Sequence, residues 1–65
     1  MKPESELRKL INQHLQQCDA TILPTLKEKI STPEGMQTVG EMVYNICSTE
    51  GVSVQTAMSQ LDSSL

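Results

Sequence analysis

The 65-residue chain has no tryptophan, no phenylalanine and one tyrosine, Tyr44. Any core must therefore be built from aliphatic and sulfur-bearing side chains, within an apolar content of 37%. Long apolar runs are missing too. The stretches that occur are a few residues each, far short of the ~20 needed to span a bilayer. Two cysteines, Cys18 and Cys47, are too few to frame a disulfide scaffold. Three prolines and three glycines exclude collagen-like and low-complexity classes. Met1-Lys2-Pro3-Glu4-Ser5-Glu6 contains no apolar segment, so no signal peptide is expected. Lys2 and the closing Asp62-Ser63-Ser64-Leu65 match no lipidation motif.

These absences predict one small domain over residues 1–65 in a cytoplasmic setting, with both thiols reduced and acting as small hydrophobes. A chain this short buries only about 60% of the surface its unfolded form exposes. Its stability margin is thin, and a core plus a substrate pocket is hard to build. Catalysis, a cofactor and a small-molecule substrate are therefore not expected.

Cations are missing from the second half. Residues 1–32 carry Lys2, Arg8, Lys9, Lys27 and Lys29 against Glu4, Glu6, Asp19 and Glu28. Residues 33–65 carry Glu34, Glu41, Glu50 and Asp62 and no Lys or Arg, and the chain's net charge is -3.

What is present is helical periodicity. Leu7, Leu10, Ile11, Leu15, Cys18 and Ile22 share one helix face, opposite Arg8, Lys9, Asn12, Gln13, Gln16, Gln17 and Asp19. Pro3 suits a first turn, and Glu4 and Glu6 suit the positive end of the helix dipole. The spacing predicts a helix over residues 4–22. Leu26 and Ile30 continue the stripe beyond Pro24, which predicts either a helix kinked at Pro24 and running to about Ile30 or a break at Leu23 followed by a short second helix. The kinked form is preferred here.

Thr32-Pro33-Glu34 reads as a cap, a first helical position and a dipole partner. The stripe Met36, Val39, Val43, Ile46 and Cys47 follows, with Gly40 on the same face. A glycine there predicts close approach of another helix, while Met42 and Tyr44 fall off the stripe. Gly51 suits a left-handed cap, Ser53 a new N-cap, and Val52 a hydrophobic staple onto Ala57. Val54, Ala57, Met58, Leu61 and Leu65 then mark a last helix near residues 54–63.

The expected fold is all-α, a three-helix small bundle with a long first helix. A helix over residues 4–30 would be roughly 40 Å long, against roughly 25 Å for one over 33–49. The overhanging stripe predicts completion by homodimerisation or by a partner.

Glu50-Gly51-Val52-Ser53-Val54-Gln55-Thr56-Ala57-Met58-Ser59 resembles the helix-turn-helix of lac-repressor-type regulators over about ten residues. The resemblance implies a DNA-binding regulator using residues 42–63, with Ser53, Gln55 and Thr56 as reading residues. The sequence departs from the pattern at Glu50, before the turn glycine, and at Gln60. The charge distribution also opposes it: DNA affinity rests on Lys and Arg at phosphates, and none follows Lys29. Thr38-Val39-Gly40-Glu41-Met42-Val43 is similar to short segments of the YmgB and YejL families of small bacterial helical proteins. That likeness implies a small helical regulator, and it carries over no site residues.

His14 and Cys18 share a helix face at four-residue spacing, and Cys47 from the later helix would complete a three-ligand zinc or thiol–imidazole site. The plainer reading makes both cysteines core and leaves no metal. The leading expectation is a non-catalytic interaction module, a regulator, adaptor or chaperone-like subunit. Its contact residues would be Met36, Met42, Tyr44, Met58, Leu61 and Leu65, where methionine supplies adaptable apolar surface. The expected partners are another protein or a second copy, with nucleic acid and membrane disfavoured.

Overall fold

Aspartate and proline decide where the first helix stops. The computed structural model describes residues 3–65, with side chains from residue 5 onward. Four helices follow one another: α1 (Pro3–Gln16), α2 (Pro24–Lys29), α3 (Pro33–Glu50) and α4 (Val54–Ser64). The described residues contain no strand. The expected role of Glu4 at the helix dipole lies outside the described side chains.

The preferred kinked helix is therefore corrected to two helices and a turn: the short second helix of the alternative is present, and the break comes earlier, after Gln16. Leu23 precedes Pro24, and the proline ring disfavours the helical region for the residue before it. Leu23 accordingly sits at φ -129, ψ 70 as the N-cap of α2, and Pro24 occupies the first helical position. Upstream, the Asp19 side chain accepts from Thr21 N–H and from Thr21 Oγ, both at 2.8 Å. The amides of Ile22 and Leu23 turn back to Asp19 O. An Asx turn of this kind gives the backbone an alternative to the helix. The bundle has four helices rather than three. α1, at 14 residues, is also shorter than α3, at 18, so the predicted overhang does not exist.

The later boundaries match the capping reading. Thr32 Oγ1 accepts from Gly35 N–H at 3.1 Å, opening α3 behind Pro33. Gly51 closes α3 at φ 68, its N–H donating to Cys47 O at 3.0 Å. Ser53 Oγ accepts from Thr56 N–H at 3.3 Å and opens α4.

Ile11, Leu15 and Cys18 meet Leu26, Val39, Val43, Cys47, Val54, Ala57, Met58 and Leu61 in one core, with Leu23, Met36, Tyr44 and Val52 half-buried against it. Three members of the sequence stripes fall outside. Leu10 and Leu65 are exposed, and Ile22 is 72% exposed because the Asp19 turn carries it off the line of α1.

Glycine governs one helix junction, though not at the predicted position. A Cβ on Gly40 would lie 3.8 Å from Leu15 Cδ1, an ordinary contact, so α1 does not require a glycine there. A Cβ on Gly35 would lie 1.9 Å from the carbonyl oxygen of Lys29. The close approach is the first turn of α3 against the C-terminal carbonyl of α2, and only a residue without a side chain allows it.

α2 is held from a distance. Leu23 makes no side-chain cap bond; instead Asp62 Oδ1, on α4, accepts from Leu26 N–H at 2.9 Å. A carboxylate from the last helix thus satisfies a free amide in the first turn of the second. Elsewhere in the bundle, the Arg8 guanidinium faces the Glu41 carboxylate and lies 4.4 Å from the Tyr44 ring centroid, tying α1 to α3.

Candidate functional site

Where α1 runs out, the chain leaves an open groove against α4. Cys18, Leu23 and Met58 form its apolar floor. Exposed Ile22, Gln55 and Ser59 stand at its edges. Its volume is about 340 Å³. The groove follows from the helix break: had α1 continued to Ile30, Ile22 would lie on the helix stripe and not on a turn. His14 also borders the groove, with its ring Nδ1–H donating to Leu10 O at 2.9 Å.

The edge is chemically quiet. Asp19 contributes the one carboxylate of the lining. The Thr21 backbone amide, and after it the Thr21 hydroxyl, hold that carboxyl below its ordinary range. Burial pushes the Cys18 thiol up, against a smaller opposing pull from Lys27, and burial likewise raises Cys47. Both cysteines are free and buried, and a raised thiol pKa keeps them as neutral hydrophobes. No group of three or more His, Cys, Asp or Glu among the described residues is placed to hold a metal. His14, Cys18 and Cys47 are therefore not gathered into the ligand set that their spacing suggested.

A second, smaller groove of about 240 Å³ crosses α1 and α3 over Gly40, bounded by Ile11, Met36 and the Arg8–Glu41 pair. Two of the four carboxylates in the acidic half, Glu41 and Asp62, are engaged within the fold.

The candidate contact residues divide by position. Met58 and Leu61 lie in the chain's own core, at 3% and 8% exposure, so on this fold they pack α4 and do not present it. Tyr44 is half-buried beneath Arg8, and Met36 is half-buried beside the smaller groove. Met42 and Leu65 are exposed. Of the residues assigned to DNA reading, Ser53 is occupied as the α4 cap, and Thr56 Oγ1 lies 2.9 Å from Ser53 Oγ. Gln55 is exposed and borders the larger groove. Stripe extrapolation placed Ile22 in the core and so missed the residue that defines the groove edge.

No protein-family model, curated protein or solved structure matches this chain. No helix among the described residues is long and apolar enough to cross a membrane.

Proposed function

We propose that this protein is a non-catalytic interaction module that docks another polypeptide on the face formed by the Asp19–Leu23 turn and α4. The observation that carries this reading is the pairing of an apolar-floored groove with an isoleucine that is 72% exposed at its edge. An aliphatic anchor beside an apolar recess, bordered by amides and hydroxyls able to rearrange their hydrogen bonds, is the anatomy of a small protein contact. Among the described residues, several polar interactions elsewhere serve the fold itself. Arg8 pairs with Glu41, Asp62 caps α2, and Thr32 and Ser53 cap their own helices.

A photoreactive side chain at position 59, introduced into the protein in its source cells, tests the reading. Crosslinks to polypeptide that disappear on Ile22→Glu are expected. Crosslinks to nucleic acid, or polypeptide crosslinks indifferent to Ile22, would overturn it.

A further inference from the structure

We infer that α2 and its flanking turns, residues 19–31, form a strap that opens as one unit while α1, α3 and α4 stay packed, and that the Asp62–Leu26 contact is its latch. The inference concerns the chain alone and does not depend on the docking reading.

The packing separates the strap from the rest. α1, α3 and α4 each pack against the other two, whereas α2 rests on α3 and α4. Leu26 is the one buried residue of α2, at 0% exposure. Leu23 and Ile30 are half-buried, and Lys27, Glu28 and Lys29 are exposed. A six-residue helix does not persist by itself, so α2 depends on what it rests against.

The hydrogen bonds draw the same boundary. The Asp19 turn bonds only to Thr21, Ile22 and Leu23. The Ser31 amide and hydroxyl both donate to Glu28 O. These bonds are internal to the segment and survive its opening. Among the described residues, the strap's one hydrogen bond to another helix is Leu26 N–H to Asp62 Oδ1, at 2.9 Å. Opening therefore gives up one buried leucine and one capped amide, and leaves the remaining core in place. A unit tied down by so few contacts opens at lower free energy than the whole fold.

Opening changes what the surface offers. Leu23 belongs both to the strap and to the groove floor that it shares with Cys18 and Met58. The groove therefore exists only while the strap is latched. Cys18 lies at the strap's edge: its Sγ is 4.0 Å from Leu23 O, and Lys27 and Asp62 are both near enough to act on its thiol. Lifting the strap uncovers this thiol. Cys47 sits on α3, roughly 18 Å along the helix from Gly35, where the end of α2 abuts. Its cover is the rest of the bundle.

The two thiols are matched reporters, both free and both 8% exposed. Timed alkylation of the full chain with iodoacetamide, each rate divided by that thiol's rate in urea, tests the inference. Cys18 should react at least ~10-fold faster than Cys47, because its cover lifts without global unfolding. Asp62→Ala should speed both thiols by roughly 2- to 30-fold, the range of a lost cap, since both openings break the latch. Asp62→Asn removes the charge but keeps an acceptor, and should return part of the protection of Cys18. Ser53→Ala removes the α4 cap, which the strap does not touch; it should speed Cys47 by a similar factor and leave Cys18 within ~2-fold. Hydrogen exchange of the wild type supplies a reading that needs no variant. The Lys27 and Ile30 amides, bonded to Leu23 O and Leu26 O, should be protected to the same degree as Cys18 and less than the central amides of α3. Equal rates at the two thiols, or acceleration of Cys18 by Ser53→Ala as large as that of Cys47, would mean that the chain opens all at once, and overturns the strap. Strap amides as protected as those of α3 do the same. Cys18 labelling indifferent to Asp62→Ala overturns the latch.

Discussion

Asp62, on α4, caps α2 by accepting the Leu26 amide at 2.9 Å, across 36 residues of sequence. Most helix caps come from the residue at the helix boundary, but Leu23 has no oxygen in its side chain to offer. Asp62→Ala should lower stability by about 0.5–2 kcal/mol, the range of a lost N-cap. Asp62→Asn keeps an acceptor without the charge and should lose less. Urea denaturation measures both. Faster hydrogen exchange at Leu26 N–H in the alanine variant would tie the loss to this bond.

Two glycines on α3 should respond to alanine with opposite signs. Gly40→Ala adds a Cβ at ordinary contact distance from Leu15 and removes a weak helix former, so it should stabilise the fold by roughly 0.5–1 kcal/mol. Gly35→Ala drives a Cβ into the Lys29 carbonyl oxygen and should cost more than ~2 kcal/mol. Thermal unfolding of the two variants separates them directly.

The Asp19 turn should weaken in acid. Its carboxyl is held below the ordinary value by the Thr21 amide first and the Thr21 hydroxyl second. A group whose folded pKa is depressed contributes stability above its unfolded pKa, near ~3.9, and loses it as pH falls through the folded value. Carboxyl-detected NMR should give Asp19 a midpoint below ~3.9, and Thr21→Ala should move that midpoint upward.

Both thiols should be slow to react. Burial raises Cys18 and Cys47, so at pH 8 alkylation by iodoacetamide should run at least ~10-fold slower than in urea. Because the folded values are raised, this stabilisation is complete below the unfolded thiol pKa of ~8.5. It is lost as pH climbs from there through the folded pKa. Urea midpoints measured through that alkaline range should fall, and less steeply in Cys47→Ala.

Local chemistry was legible in the sequence where the partners are close together. The Thr32, Gly51 and Ser53 caps follow from residue type within three or four positions, and they set the boundaries of α3 and α4. The break after Gln16 was harder to read because two signals competed: the aliphatic stripe runs on through Ile22, Leu26 and Ile30, while Asp19 and Pro24 both oppose a continuous helix. Backbone geometry outweighed the stripe, which turned Ile22 outward and made α1 shorter than α3. Periodicity likewise marks Met58 and Leu61 as apolar without saying whether a neighbour within the chain already covers them. Gly35 and Asp62 act through groups on other helices, the Lys29 carbonyl and the Leu26 amide, and no local pattern reports such encounters.

The distance in sequence between Leu26 and Asp62 also has a meaning during synthesis. A ribosome adding about 5–20 residues per second takes roughly 2–7 s to proceed from the one to the other. Throughout that interval the Leu26 amide lacks the Asp62 carboxylate and its side chain lacks α4 to cover it, and a segment as short as α2 does not hold a helix alone. The first half can close neither the Leu26 amide nor the apolar face around it until the α4 segment has been made.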